Sequence, residues 1–231
     1  MNITTNHKGY KEARKATGQG KYNGAYYYAK EIEKNIMPRV KTWREWNTVG
    51  RDLDGMHDSM IVFLHDNSTC WHYEWLHKYQ DLVLVCSSQY TADSVKYSGN
   101  VILLPMSVDT EYVKKFRTKK TKDVCFVGNI WVKNNLQHDI DGQVDFFSGL
   151  PREELLKELA KYKYAYAIDR CAIEAKVLGC ELLPTETRYH VDNVGEVLDN
   201  KEASAILQAK LDEIDKEGKH AKENRIQNYT L

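Results

Sequence analysis

At 231 residues, with 33 Lys and Arg against 33 Asp and Glu, the chain has no net formal charge, so its overall field gives no strong pull toward nucleic acid or a membrane surface. Its 42% hydrophobic and 11% aromatic content describes an ordered globular protein and excludes a disordered tail. No run approaches the ~18 apolar residues that a membrane span needs, and the N-terminal stretch has no apolar core. A cytoplasmic protein is therefore expected. The five cysteines have no regular spacing and read as small buried hydrophobes in a reducing compartment.

Taken in chain order, "MNITTN" reads as a first strand, and "GQGKYNGAYYYAKEIEKNIM" as a turn and a helix with Ala25, Ala29, Ile32 and Ile36 on one face. "SMIVFLHDN" is a buried strand ending in polar residues. "STCWHYEWLHKYQ" places Trp71, Trp75 and Tyr79 four apart, as a core-facing helix does. "DLVLVCSS" is a second buried strand, "QYTADSVKYSG" a helix stopped by Gly99, and "NVILLPM" a third strand ended by Pro105. The basic run "KKFRTKKTK" at 114–122 follows, either a solvated loop or a face for an anionic ligand.

A second series repeats the pattern. "KDVCFVGN" and "QVDFFSG" are strands, and "LPREELLKELAKY" is a helix with Pro151 in its first turn beside Glu153 and Glu154. "YAYAI" is a strand, "CAIEAKVLG" a helix with Glu174 in its first turn, and "CELLP" a strand. The terminal segment reads as a helix broken near Gly218. Continuous apolar strands alternating with helices imply α/β architecture with parallel sheets covered on both faces. The expected organisation is two small Rossmann-like, doubly wound units, residues 1–106 and 107–231, the second including the terminal helix. In such sheets ligands bind beyond the carboxyl ends of the strands, here residues 65–67, 87–88, 128–129 and 169–174.

His57, His65, Cys70, His72 and His77 crowd one region, but His72 and His77 are about 140° apart on a helix, so no metal site is expected. His65 and Asp66 end a buried strand at the edge where chemistry occurs, and His65 serves there either as a general base or as a hydrogen-bonded structural residue. Gly128 and Asn129 follow a strand directly, where a missing side chain lets a ligand approach, and Lys133 beyond them suits phosphate oxygens. Neither a dinucleotide-binding glycine fingerprint nor a P-loop pattern is present.

The order "VCSSQYTAD", "VILLPMSVDTEYV", "DVCFVGN", "SGLPREELLKELAKYKYAYAI" and "IEAKVLGCELLP" resembles the second half of GT-B fold glycosyltransferases, as in families 4 and 1, over roughly residues 81–185. The resemblance implies a reduced GT-B architecture and a metal-independent hexosyltransferase-like enzyme without cofactor, moving a sugar from a nucleotide-sugar donor to a hydroxyl acceptor. It implies that Glu174 holds the donor ribose, its two oxygens accepting both hydroxyls of the diol, with Gly128, Asn129, Lys133 and Arg170 around the diphosphate. His65 and Asp66 take the catalytic side. A nucleic-acid acceptor is possible but not indicated. Eight positions before Glu174, where many retaining members have a second glutamate, this chain has Tyr166. A binding-only descendant of the fold, or a sugar-nucleotide epimerase, is the alternative.

Overall fold

The computed structural model describes residues 24–41, 45–48, 60–64, 76–79, 81–127, 144–147, 150–184 and 196–228. Within them the chain is α/β, with two small parallel sheets of four strands each flanked by helices, an arrangement compatible with Rossmann-like units. The expected strand at "MNITTN" and the helix turns carrying Trp71 and Trp75 lie outside the described residues.

Helix α1 (Gly24–Glu31) continues into a π-helical turn over Ile32–Ile36 and a 3-10 turn over Met37–Arg39. Strands β1 (Glu45–Thr48), β2 (Met60–Leu64), β3 (Val83–Cys86) and β4 (Asn100–Leu103) then lie side by side in sequence order. Strand alternation divides the apolar residues between two faces. Ile61, Phe63, Val83, Val85 and Ile102 pack with Tyr28, Ile32 and Ile36, whereas Met60, Val62, Leu64, Leu84 and Cys86 pack with Leu76 and Val95. Val95 belongs to helix α2 (Gln89–Val95), whose N-terminus is capped by Ser88 Oγ accepting from Thr91 N at 3.1 Å. This helix does not run on to Gly99. Lys96 ends it by turning left-handed at φ 51°. Strand β1, the polar tetrapeptide "EWNT", is an addition to the expected set and pairs with β2 from Glu45↔Met60.

The second series begins with α3 (Thr110–Lys114), capped by Asp109 Oδ1 at 2.9 Å from Tyr112 N. Then come β5 (Lys122–Val127), β6 (Asp145–Phe147), α4 (Arg152–Leu159), β7 (Tyr162–Ala167), α5 (Asp169–Val177) and β8 (Glu181–Leu182). Their sheet order is β6-β5-β7-β8, all parallel. Leu156, Leu159, Ala165, Ala172 and Val177 share its core.

Helix α5 ends in a Schellman motif. Gly179 takes φ +83°, its N–H donates to Lys176 O at 2.8 Å, and Cys180 N–H donates to Ala175 O at 2.9 Å. The basic run supplies the remaining partners, because Arg117 Nε donates to Val177 O at 2.7 Å and Lys120 Nζ to Leu178 O at 2.9 Å. Two of its cations thus cap the negative end of a helix, a use distinct from both readings of the run as solvated loop or ligand face.

Helix α6 (Asn200–Asn228) passes through Gly218 without the expected break; a helical glycine costs about 1 kcal/mol, which the continuous helix absorbs. The expected boundary left this helix with the second unit. Its buried residues Ala203, Leu207 and Leu211 instead join the core of the first sheet, against Ile32, Ile36 and Phe63. The chain crosses between units twice, at 105–109 and 198–200, and the crossings are tied together. Val108 N donates to Leu198 O at 3.1 Å, Asn200 N to Val108 O at 3.2 Å, and Thr110 Oγ1 to Asp199 Oδ2 at 2.6 Å.

Candidate functional site

The second sheet reverses its strand order. From β5 the chain steps outward to β6, returns across β5 to β7, and continues away to β8. Adjacent strands whose connections leave in opposite directions form the switch point at which such sheets bind ligands beyond their carboxyl ends; here those ends are Val127 and Ala167, which are register partners. On the β7 side, Ile168 is the N-cap of α5 and Asp169 takes φ 53°, a left-handed conformation that Asp tolerates better than most residues.

Glu174 is the sixth residue of α5, not part of its first turn as expected, because the helix starts two residues earlier at Asp169. It is therefore no helix-start charge. At 3% exposure it needs a partner, and it has two. Arg170 Nε donates to Glu174 Oε1 at 2.9 Å, and Arg152 Nη2 lies 3.1 Å from the same oxygen. No hydrogen bond among the described residues reaches Oε2. The two-oxygen hold expected of this carboxylate is thus half committed within the protein.

The two guanidiniums also converge on Glu31, contributed by α1. Arg152 Nη1 and Arg170 Nη2 both donate to Glu31 Oε1, and Asn200 Nδ2 donates to Oε2 at 2.7 Å. Asn200 is in turn fixed by Ser107 Oγ, 2.7 Å from its Oδ1. Burial by itself would raise the Glu31 pKa, but Arg170, Arg152 and the Asn200 amide outweigh it and hold the carboxyl below its ordinary range. Arg170 experiences the mirror situation: burial opposes its charge, Glu174 and Glu31 restore it, and its pKa is raised. Two carboxylates and two guanidiniums cancel, which lets the cluster sit buried. Arg170 Nη1 is buried with no hydrogen-bond partner among the described residues.

The local sequence explains the arrival of both arginines. Pro151 is the N-cap of α4 and Arg152 its first residue, while Arg170 is the second residue of α5. Arg152 is steadied by the Tyr112 ring, its guanidinium carbon 5.4 Å from the centroid. Cations at helix N-termini oppose the dipole, so both positions accept an electrostatic cost that the carboxylates offset. That mismatch is the signal by which sequence reading could have found Arg152. Glu31 and Asn200 carry no comparable signal, since Glu31 sits beside Ile32 in an ordinary amphipathic pattern.

Of the expected site residues, Arg170 and Glu174 are thus in one cluster. His65, Asp66, Gly128, Asn129 and Lys133 lie outside the described residues. Among the described residues no group of three or more His, Cys, Asp or Glu is placed to hold a metal, and no helix is long and apolar enough to cross a membrane. Cys86, Cys125 and Cys180 are buried and outside any disulfide, and burial pushes Cys125 up to about 12, which suits packing rather than nucleophilic chemistry. No family model matches the sequence, and no curated protein shows significant similarity to it.

Proposed function

We propose that the protein is a compact GT-B-like glycosyltransferase that moves a sugar from a nucleotide-sugar donor to a hydroxyl acceptor. The observation that carries this reading is the strand reversal at β5 and β7, the kind of switch point where such sheets bind ligands, with Arg170 and Glu174 on the helix that follows β7. Glu174 Oε2 would accept a ribose hydroxyl. Arg170, Lys133 and the backbone around Gly128 and Asn129, which follow β5 in the chain, would stabilise the leaving diphosphate. His65 and Asp66, which follow β2, would act on the acceptor as base and electrostatic partner, without a metal.

A second reading, a nucleotide-binding module that transfers nothing, is favoured by one feature. Glu174 Oε1 is already shared by two arginines, as in a residue kept for architecture. The test for donor binding is a thermal-shift panel of uridine, guanosine, adenosine and thymidine sugar nucleotides with their diphosphates. A ligand at one hundred times its dissociation constant adds ~2.7 kcal/mol, or about 5–10 °C for a chain of this size. An unmoved melting curve across the panel removes both readings. A shift without transfer or hydrolysis leaves the second.

A further inference from the structure

We infer that Glu31 is a resident substitute for the ligand's phosphoryl group, occupying the Arg152–Arg170 pair until an anionic ligand displaces it. The inference rests on the donor reading for the identity of that ligand, a diphosphate, and on the cluster itself for everything else.

Three observations support it. First, both arginines stand in the first turns of helices of eight and nine residues, whose N-termini favour anions. Two cations added there make a place built for negative charge. Second, the anion found in it comes from the other unit. Glu31 reaches across from α1, and its second oxygen is held by Asn200 at 2.7 Å. Third, Arg170 Nη1 is a buried donor without a partner among the described residues, on a side chain only 6% exposed. A carboxylate cannot use every donor that the pair presents, whereas a diphosphate has more oxygens to offer.

Charge counting gives the direction of the exchange. With Glu31 and Glu174 both engaged the cluster is neutral, so an added diphosphate gains no net charge attraction from it. When the Glu31 side chain swings out, the site keeps two guanidiniums against one carboxylate. Binding then exchanges one anion for another and releases α1 from α4 and α5, so the protein reports an occupied site through the contact between its units. Apparent affinity is reduced by the fraction of molecules in which Glu31 holds the pair.

Titration calorimetry on Glu31→Gln and Asn200→Ala tests this, with inorganic pyrophosphate and the four nucleoside diphosphates as probes. Glu31→Gln keeps the shape and removes the charge; if the occupied state holds nine molecules in ten, affinity rises by about ten-fold. Asn200→Ala loosens the grip on Glu31 and should give a smaller rise of the same sign. Unchanged or weaker affinity in folded Glu31→Gln overturns the inference, and if that variant does not fold, the same result in Asn200→Ala does so. Pyrophosphate binding that tightens while no nucleotide binds supports the role of Glu31 and removes the donor reading. If pyrophosphate and nucleotides bind neither wild type nor variants, the inference falls.

Discussion

The two sheets have equal strand numbers and the same parallel sense, yet they are built for different work. In the first, β1 to β4 are laid down in order, and β2 and β3 are covered on both faces, by α1 and α6 on one and by α2 on the other, while Val101 and Leu103 of β4 stay exposed. In the second, the order turns back on itself at β5 and β7, and the helices that follow bring charged side chains to their first turns. A sheet that only advances has no internal switch point; one that reverses opens a crevice. The proposed ligand site thus falls on the second sheet, and the first unit supplies Glu31 to the charged cluster beside it.

The largest expected effect comes from cutting the link between these regions. Arg170→Met leaves Glu31 and Glu174 buried with less countercharge, a loss of about 3–5 kcal/mol, or about 6–20 °C in melting temperature. If that variant melts like the wild type, the cluster is not holding the units together. Acid provides a reversible version. Glu31 has a folded-state pKa below its ordinary 4.5, so its stabilisation is fully present above that value and is lost as pH falls through the lower folded-state value. The lowered Asp199 carboxyl, where hydrogen bonds from Thr110 and Lys201 overcome burial, acts with the same sign. Melting profiles below about pH 4.5 should therefore fall more steeply for wild type than for Glu31→Gln, and parallel curves would assign the acid loss to other groups.

The next effect sharpens the assignment of α6. Leu207→Ala creates a cavity against the first sheet and should cost about 2–5 kcal/mol. Hydrogen exchange should quicken in β2 and β3 before β5 and β7; the opposite pattern would return this helix to the second unit. Gly179→Ala tests the closing turn of α5, where the nearest atom to an added Cβ is Lys120 Cε at 3.9 Å. Space is therefore available, and the expected cost of about 1–2 kcal/mol is that of a left-handed non-glycine residue. Smallest is Arg117→Ala, about 0.3–1 kcal/mol for one cation lost from a helix C-terminus, measurable by denaturant unfolding.

These sites differ in how readily the sequence discloses them. Strands β2 and β3 are legible because their apolar runs are continuous and bounded by polar residues, and β7 from its Tyr and Ala run after Lys163, whereas the four polar-leaning residues of β1 gain their strand state only by pairing with β2. Helix α6 is legible as a helix, but periodicity says that a face is buried and not against which sheet, so its packing on the first unit could not be read. Strand order is likewise a property of pairing between distant segments. Glu174 and Arg170 could be singled out from their motif. Their partners Glu31 and Asn200 lie 143 positions before and 26 positions after Glu174 in the chain, and only the fold makes them neighbours.

The paired crossings at Val108 and Asp199 have a consequence for how the protein is made. They turn the second unit into an insertion within the first, whose core is completed by residues from both ends of the described chain. On a ribosome, about 100 residues separate Leu104 from Leu207, so at ~5–20 residues per second the sheet face bearing Phe63, Val85 and Ile102, met so far only by α1 and the turn at Ile32, waits roughly 5–20 s for the rest of its cover. The inserted unit can finish folding in that interval. The unit begun first is thus the last to close, and the part of its sheet face that α6 later covers is the surface that a nascent-chain chaperone would meet.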